Sequence, residues 1–494
     1  MPYEVNDLLS TLFTNPSGQA PFTFTIAGQR DQGLPSLYNN DWHDFEPRVG
    51  IAWDPFQNGK TSIRAGYGIF HDRLFGQLLG LTRGNPPFQQ IFFEPFFAAG
   101  VLVPVSALGP PPSLTATPIV PDFGFNASGM LQGGILPFII DPHLRMPYSQ
   151  GWNFGVQREL PGSLLLEVNY VGSRGTRLLR VVDGNPPQPA LVSQLIADGV
   201  PPQLLQFDAL YLGAEEGILP FDAVNNNAFL HAELFNNTAS SVYHALQANI
   251  TKRMSNGLAV QAAYTLSHAI DNSSDPLTPA TGNNQGFPRD SLNLTAERGN
   301  SDFDVRQRLT INYSWDLPFG RGHAHLAEGL ASGIFGGWEV AGITTFSGGL
   351  PYDIFTATDT AHTGQPQRPD FNPVGVPAPV SNPLTQTGPN LGMSSALFFP
   401  DAPFGRGGDL GRNHFRGPGI NNWDTVLQKT VSLTERVNLQ FRAETYNLFN
   451  RVQFGQPGNL TSDPGTFGQS TSEVRRADDT SGARQIQFGM KLQF

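Results

Sequence analysis

A run of carboxylates between residues 181 and 241 is the first group of side chains with the types needed for chemistry. It contains no Lys or Arg, and its acidic residues are Asp183, Asp198, Asp208, Glu215, Glu216, Asp222 and Glu233. Hard cations such as Ca²⁺ prefer oxygen ligands of this kind. The spacing, however, has no EF-hand or other ligand rhythm. The pattern therefore favours a solvated acidic surface loop, and we expect no bound metal.

Three further segments contain residue types that bind metals or phosphate. The histidine-containing segments 41–44 and 323–325 lack a partner at zinc-site spacing, and the Gly-rich segment 405–409 lacks the Lys-Ser/Thr of a phosphate-binding loop. The chain contains no cysteine, which excludes thiol catalysis, disulfides and zinc–thiolate sites. No Ser-His-Asp arrangement with a supporting local motif occurs. We therefore expect no enzyme activity, no catalytic residue and no cofactor.

Two other clusters fit a pore mouth or a protein wall. The segment 86–104 has phenylalanines between prolines: Phe88, Phe92, Phe93, Phe96 and Phe97. These rings suit an apolar substrate at a mouth, but loop self-packing or an extracellular aromatic girdle is the favoured interpretation. Asp302, Asp304, Arg306 and Arg308 lie two residues apart where a long connection enters a strand. This spacing favours a structural charge ladder with neighbouring strands, and substrate binding is the alternative.

The composition separates this chain from a helical cytosolic enzyme. Of its 494 residues, 54 are Gly, 42 are Pro and 37 are Phe, and only 14% are charged. An ordinary soluble domain has about 25% charged residues. The formal net charge of −11 argues against nucleic acid as a partner, because phosphate neutralisation needs a basic face.

Neither a secretory signal nor a helical membrane span is visible in the sequence. Residues 1–29 contain no Lys or Arg and no apolar core of signal-peptide type, so we expect no signal peptide in this chain. No run of about 18 apolar residues occurs. A soluble β-protein and a transmembrane β-barrel remain, and the barrel must be identified strand by strand.

Eleven segments alternate apolar with polar or small residues over roughly the length that a tilted strand needs to cross a bilayer. The clearest places Leu309, Tyr313 and Trp315 on one face and Asn312 and Asp316 on the other. The predicted strands are 48–54, 61–70, 150–158, 163–172, 243–252, 257–267, 309–317, 337–347, 423–432, 437–444 and 485–494. A soluble sandwich also alternates, so this pattern alone does not place the chain in a membrane.

The connections between these strands discriminate between the two classes. Five are short and turn-like, and five are long: 71–149, 173–242, 268–306, 348–422 and 450–483. Because short and long alternate, an up-and-down sheet collects all turns at one rim and all long loops at the other. Outer-membrane barrels have this asymmetry, whereas loops beyond about 15 residues are uncommon in compact soluble domains. We predict an all-β, antiparallel, up-and-down transmembrane β-barrel segment of about eleven strands with long extracellular loops.

Several stretches, in order along the chain, carry a family resemblance. They are 46–55 (EPRVGIAWDP), 64–70 (RAGYGIF), 170–175 (YVGSRG), 301–306 (SDFDVR), 441–450 (FRAETYNLFN) and the terminal Phe494. Residues 41–494 resemble the barrel of TonB-dependent outer-membrane transporters, most closely the Oar-like group. The resemblance implies a 22-stranded barrel, an internal plug domain and a TonB-contacting segment. We therefore expect roughly half a barrel and no plug domain here, with 1–40 as an N-terminal loop or partial strand.

An open sheet of eleven strands poses an energetic problem in lipid. Each edge exposes roughly five backbone groups at several kcal/mol per group, which together exceeds the about 5–15 kcal/mol of a whole domain. Bacterial barrels have even strand numbers, so closure by eleven strands alone is disfavoured. A second polypeptide, a smaller closed barrel and failure to insert are the alternatives.

The expected partners follow from the predicted barrel and from the resemblance. They are outer-membrane lipid, the barrel-assembly machinery, a plug and N-terminal barrel half that a separate chain can supply, and TonB through that N-terminal part alone. Phe488, Met490, Leu492 and Phe494 resemble the C-terminal signal that the assembly machinery reads; a merely apolar last strand is the alternative.

The resemblance also implies a function. The intact protein is expected in the cell outer membrane, where it binds a ligand at the extracellular loops and imports it with energy from TonB. This chain by itself is not expected to be an autonomous transporter. The alternatives are an outer-membrane adhesion or carbohydrate-binding β-protein without transport, and a soluble β-sandwich enzyme.

Overall fold

The computed structural model describes part of the chain, with its largest element a single antiparallel sheet. The described residues are 44–73, 97–98, 101–102, 124–125, 131–132, 138–141, 143–184, 186–187, 189–205, 233–275, 287–320, 325–326, 328–372, 398–434, 436–474 and 482–494. The predicted N-terminal segment 1–40 lies outside them.

All eleven predicted strands are present and pair in chain order. They are β1 (Arg48–Trp53), β2 (Thr61–His71), β3 (Tyr148–Leu160), β4 (Leu164–Asp183), β5 (Glu233–Ser255), β6 (Leu258–Asp271), β7 (Gln307–Asp316), β8 (Trp338–Ser347), β9 (Ile420–Ser432), β10 (Asn438–Tyr446) and β11 (Gln485–Gln493). Each neighbouring pair along this path is antiparallel. The predicted up-and-down sheet is therefore confirmed.

One face of this sheet is apolar from strand to strand. Residues directly opposite in an antiparallel ladder share a face, and Phe154 lies opposite Tyr170, which lies opposite Leu246. On the same face, Trp315 is 43% exposed and Phe488 is 80% exposed. These side chains point outward instead of packing into a compact core. The predicted ribbon, with one apolar and one polar flank, is confirmed.

Short and long connections alternate as predicted. The short ones span 54–60, 161–163, 256–257, 317–337 and 433–437, and the long ones span 72–147, 184–232, 272–306, 348–419 and 447–484. All short turns therefore lie at one end of the sheet, the short-turn rim, and all long connections leave from the other end, the long-loop rim. The tightest turn has positive φ at both Asn256 and Gly257, the geometry that two-residue hairpins favour.

Two strands are longer than the alternation predicts. The predicted strands 163–172 and 243–252 correspond to β4 with 20 residues and β5 with 23 residues. In their added parts, Val181, Val182 and Phe235 are all buried although successive residues of a strand point to opposite faces. Because both faces are covered, the alternation of a half-buried strand is lost there. The assignment of 173–183 to a loop was therefore wrong.

Shorter elements lie in the connections. Helix α1 (Pro189–Ala197) lies between β4 and β5, and helix α2 (Gly329–Phe335) lies between β7 and β8. The 3₁₀ turns are Pro202–Leu205 and Leu294–Glu297; the short strands are Phe97–Ala98, Val101–Leu102, Gly124–Phe125, Leu131–Gln132, Phe138–Ile140, Gly299–Asn300, Pro351–Tyr352 and Phe415–Arg416. Among the described residues, no helix combines the length and apolar character required to cross a membrane.

A buried aromatic core lies beyond the sheet, in the connection between β8 and β9. Tyr352, Ile354, Phe398, Phe399 and Leu410 form this core. Phe371, Phe415 and Phe467 pack around it. Because Phe467 comes from the connection between β10 and β11, the core joins two long connections. We call the described parts of the connections 272–306, 348–419 and 447–484 the cap.

The sheet has two unpaired edges. Within the described residues, no ladder joins β1 to β11, and every residue of both strands is exposed. Each strand along the path reverses direction, so the first and last of eleven strands run the same way. A direct contact between β1 and β11 would therefore be parallel, unlike every neighbouring pair along the path from β1 to β11, which we call the wall; off this path, the short strand Phe138–Ile140 pairs parallel with β5.

Candidate functional site at the long-loop rim

A buried arginine, Arg368, ties two connections of the cap together. Its guanidinium donates hydrogen bonds to both carboxylate oxygens of Glu297, at 3.2 and 2.7 Å, and its Nε donates to Asp353 at 2.7 Å. The side chain of Arg368 is only 3% exposed. Since Glu297 precedes β7 and Asp353 follows β8, this triad fixes the two connections relative to each other.

The charges of this triad shift one another's pKa. Burial alone raises the pKa of Glu297, but the guanidinium of Arg368 outweighs it and lowers that pKa to about 2. Burial raises the pKa of Asp353 against the opposing effect of Arg368. Glu297 differs because it accepts two hydrogen bonds from Arg368 and has a second cation, Arg289, at 3.7 Å. Glu297 is therefore held firmly as an anion at neutral pH.

A second arginine, Arg412, fastens the cap to the end of β6. Its Nη1 donates to Asp271, the last residue of β6, at 2.5 Å. Its Nη2 donates to Ser274 at 2.8 Å and to Asp302 at 3.2 Å. Asn413 also donates to Asp302, at 2.6 Å. The connection between β8 and β9 is thus bound to a strand two places away in the sheet.

Asp304, the second aspartate of the charged segment 302–308, is buried. The guanidinium of Arg416 pairs with it, and Arg306 does so at 3.2 Å. Its Oδ1 accepts the backbone amide of Ala269 on β6 at 2.7 Å, and His268 on β6 lies 3.3 Å from its Oδ2. Asp304 therefore joins the cap to the sheet and has a structural role.

The prediction of a charge ladder between Asp302, Asp304 and neighbouring strands is wrong for the main partners of these two aspartates. Asp302 and Asp304 pair with arginines of the connection between β8 and β9, because both residues precede β7, which begins at Gln307. Arg308 does lie within β7, opposite Thr265 of β6 and Ser347 of β8.

Asp359 organises a tight turn in the cap. The backbone amides of Thr363 and Gly364 donate to its carboxylate at 3.1 and 2.7 Å. Burial raises the pKa of Asp359 to about 6, and the two amides oppose this effect. In the same turn, His362 Nδ1 donates to the carbonyl of Leu205 at 3.0 Å. The turn therefore also contacts the connection between β4 and β5.

The acidic segment 181–241 differs from the predicted solvated loop. Asp183 and Glu233 lie opposite each other in the ladder of β4 and β5, and both are buried. Asp198 is exposed just beyond α1, while Asp208, Glu215, Glu216 and Asp222 lie outside the described residues. In the part of the chain that the structure describes, no group of three or more metal-binding side chains is placed to hold a metal.

The Gly-rich segment 405–409 binds a carboxylate of the cap itself. Arg406 pairs with Asp370 at 2.6 Å, and the amide of Asp409 donates to the same carboxylate at 3.1 Å. His325 contacts Phe319. Residues 41–43, His323, Phe88, Phe92, Phe93 and Phe96 lie outside the described residues, and Phe97 begins a short strand.

The three cap arginines that dominate the site were not identified from the sequence. Arg368, Arg412 and Arg416 each pair with a carboxylate about 15 to 141 residues away. One signal was available. The segment 348–419 contains four Arg and no Lys. Arginine is the residue suited to buried ion pairs, because its planar guanidinium stays charged and donates to carboxylates in pairs.

Comparison with solved structures returns outer-membrane receptors and transporters. The outer membrane transporter YddB from Escherichia coli is 11% identical, with a TM-score of 0.42, and the match covers 91% of this chain and 40% of YddB. The pyoverdine receptor FpvA from Pseudomonas aeruginosa, bound to pyoverdine, is 12% identical with a TM-score of 0.36, covering 91% and 36%. The chain spans about two fifths of the length of these structures.

A mutant of the ferric enterobactin receptor PfeA from Pseudomonas aeruginosa, in complex with enterobactin, is 10% identical with a TM-score of 0.41, covering 91% and 40%. A search of curated protein sequences gives no match. The family model described as "Outer membrane beta barrel domain" matches residues 1–487, nearly the whole chain. The chain therefore belongs to the outer membrane beta barrel domain family, and its place is the cell outer membrane.

Proposed function

We propose that this chain forms the wall and external cap of an outer-membrane receptor that binds a ligand outside the cell and imports it with energy from TonB. The observation that carries the proposal is the difference between the rims. One has short turns, and the other has an ordered cap held by buried ion pairs. Loops positioned by a rigid scaffold are the usual place for selective binding. The proposed role is binding and transport without catalysis.

The polar face of the wall supports a hydrated passage. Ser314 donates to Glu339 at 2.6 Å, and Gln428 donates to the same carboxylate from the next strand. Elsewhere on this face, Asn249 donates to Glu167 at 3.2 Å. Barrels with a water-filled or plugged interior have a polar inner surface of this kind.

The two free edges support a partner that completes the wall. Because β1 and β11 run in the same direction, a segment that pairs antiparallel with both must contribute an odd number of strands. The predicted N-terminal barrel half meets this condition, and a plug and the TonB contact would belong to the same assembly. Pairing within one barrel removes the cost of edge groups exposed to lipid.

Cysteine pairs test whether the edges close on each other. The natural chain has no cysteine. An Ile51→Cys, Phe488→Cys double variant reports on β1 and β11, and Ala443→Cys, Phe488→Cys is the matched control because these two residues are opposite in the ladder of β10 and β11. We expect a disulfide in the control alone when outer membranes are oxidised. A disulfide within one chain between positions 51 and 488 would contradict the proposed partner.

Uptake measurements test the transport proposal. Cells that produce the whole assembly are given iron-loaded pyoverdine or enterobactin, the ligands named for the solved receptors above, with and without functional TonB. TonB-dependent accumulation supports import. Binding that is equal in both strains, without accumulation, favours a surface-binding protein. Recovery of the chain in the soluble fraction, without heat-modifiable migration on gels, would contradict a membrane barrel altogether.

The assembly signal remains part of this proposal. Phe488, Met490 and Leu492 lie on the apolar face of β11, opposite Ala443, Phe441 and Leu439. Phe494 follows β11 and is almost fully exposed. An edge strand with this outward apolar face is accessible to another strand-pairing protein. We expect the barrel-assembly machinery to contact these residues.

A further inference from the structure

The connection between β7 and β8 is the longest at the short-turn rim, and it exposes a stripe of apolar side chains. Leu330 and Ile334 are four residues apart and lie on one side of α2, and Leu326, which precedes the helix, is exposed as well. Leu330 is 89% exposed and Ile334 is 62% exposed, and the neighbouring Phe335 is exposed as well. No other short connection contains a helix among the described residues.

The C-terminal end of α2 is bound to the lipid-facing side of the wall. Trp338 of β8 donates its indole hydrogen to the carbonyl of Ile334 at 2.9 Å. Lys429 of β9 donates to the carbonyls of Gly333, Ile334 and Gly336 at 2.8 to 2.9 Å. The ammonium of Lys429 also lies 5.0 Å from the ring centre of Trp338.

Register places these two residues on the apolar face. Trp338 lies opposite Lys429, and two residues along, Val340 lies opposite Leu427. Val340 also lies opposite Trp315, which belongs to the outward apolar face described above. Since the side chains that hold α2 project from that face, the helix lies on the outside of the wall, at its short-turn end.

The backbone is closely packed at the C-terminal end of α2. A side chain at Gly336 would collide with the carbonyl of Ser332 and the backbone of Gly320. Gly337 has a φ of +71°, and a side chain there would collide with the carbonyl of Thr430 on β9. Gly336 therefore lets the end of α2 pack on the start of its own connection, and Gly337 lets that end approach β9, while Leu330 and Ile334 stay exposed.

We propose that α2 is an interfacial membrane anchor that inserts Leu330, Ile334 and Phe335 into the phospholipid leaflet at the short-turn rim. The stripe is continuous with the apolar face of a wall that belongs in the outer membrane. A tryptophan and a lysine at its base are the residues that proteins place at a membrane–water boundary. A short helix with one apolar side lies in that boundary without crossing it. This proposal does not depend on transport.

Single cysteines test the anchor, because the natural chain has none. Leu330→Cys and Ile334→Cys report on the stripe. Glu328→Cys is the matched control, since Glu328 is exposed, precedes α2 and makes no side-chain capping bond. The probe is a charged, membrane-impermeant maleimide added to opened outer-membrane fragments. We expect modification at 330 and 334 to be at least about tenfold slower than at 328, because lipid burial suppresses the reactive thiolate.

A second measurement identifies what covers the stripe. The purified assembly containing each variant, labelled with an environment-sensitive fluorophore, is placed in vesicles of phosphatidylethanolamine and phosphatidylglycerol that hold no other protein, with a spin-labelled phospholipid as quencher. Stronger quenching at 330 and 334 than at 328 supports insertion into lipid. Equal modification rates in membranes would overturn the proposal. Slow modification in native membranes without quenching in vesicles would also overturn it, because a protein partner or a second copy would then be the cover. Heat-modifiable migration confirms that each variant is folded.

Discussion

Replacing Glu297 by Gln tests whether buried ion pairs hold the cap in place. The substitution keeps the size of the side chain but removes the charge opposite Arg368, which loses one of its two anionic partners. Arg368 and Asp353 then remain buried as a pair, without the second carboxylate. We expect the cap to open locally more often, while the sheet, which does not contain Glu297, stays paired.

Two independent arguments give the size of the effect. The pKa of Glu297 is lowered from 4.5 to about 2, which corresponds to about 3 kcal/mol of net stabilisation of the charged form. Removing one partner of a buried ion pair costs about 3–5 kcal/mol when the other charge is left unpaired, and Asp353, which still pairs with Arg368, places the cost at the lower end of that range. A loss of about 3 kcal/mol raises the population of the open cap roughly a hundredfold.

Amide hydrogen exchange measures that population directly. The reporter is the amide of Thr356, which donates to the carbonyl of Gln367 at 2.9 Å next to the triad. Arg406→Gln is the matched control, since the Arg406–Asp370 pair lies in the same connection but Arg406 is 51% exposed. Exposed pairs contribute about 1 kcal/mol or less, so exchange in the control should rise less than about fivefold. Equal exchange rates in the two variants would refute the ion-pair account of the cap.

Three further predictions use the same protein. The pKa of Glu297 is depressed, so its stabilisation of the cap is lost as pH falls from about 4.5 towards 2. The pKa of Asp359 is raised to about 6, so its stabilisation of the cap grows as pH falls from 6 to 4. The protection of cap amides from hydrogen exchange should therefore be highest near pH 4–5, and Asp359→Asn should abolish the decline in protection above that range. Gly337→Ala should lower the urea midpoint of unfolding, followed by heat-modifiable migration on gels, by the equivalent of about 1–3 kcal/mol. Gly333→Ala in α2 should not lower this midpoint, because the added carbon meets nothing within 4 Å. Deletion of Phe494 should reduce the amount assembled in outer membranes, and Phe494→Tyr should retain it; equal amounts in all three proteins would exclude the assembly signal.

The wall was predictable from the sequence because its signal is local. In β7, Leu309 to Trp315 alternate strictly with polar residues, and the strand faces lipid on one side and polar surroundings on the other. Turn residues such as Asn256 and Gly257 also act locally. Strand positions, strand order and the two distinct rims therefore followed from periods of two residues and from connection lengths.

The cap was not predictable because its contacts are distant in sequence. Arg412 and Asp271 are 141 residues apart, and no local pattern relates them. The same physics explains the errors in β4 and β5, where residues on both faces are buried and alternation disappears. Asp183 and Glu233 were assigned to a solvated loop because carboxylates are usually exposed, yet strand pairing buries both.

The arrangement of the ion pairs constrains how the cap can move. Arg412 joins the connection between β8 and β9 to the end of β6, Arg416 joins it to Asp304 just before β7, and Arg368 joins it to Glu297 in between. Opening only one of these pairs, while the others hold the same segment, would leave a charge buried without its partner at a cost of several kcal/mol. A movement that keeps all three intact has no such cost. Any rearrangement of the cap on ligand binding should therefore carry the end of β6 with the connected segments, and distances among the three arginines and Asp271 should stay constant while their distances to β11 change.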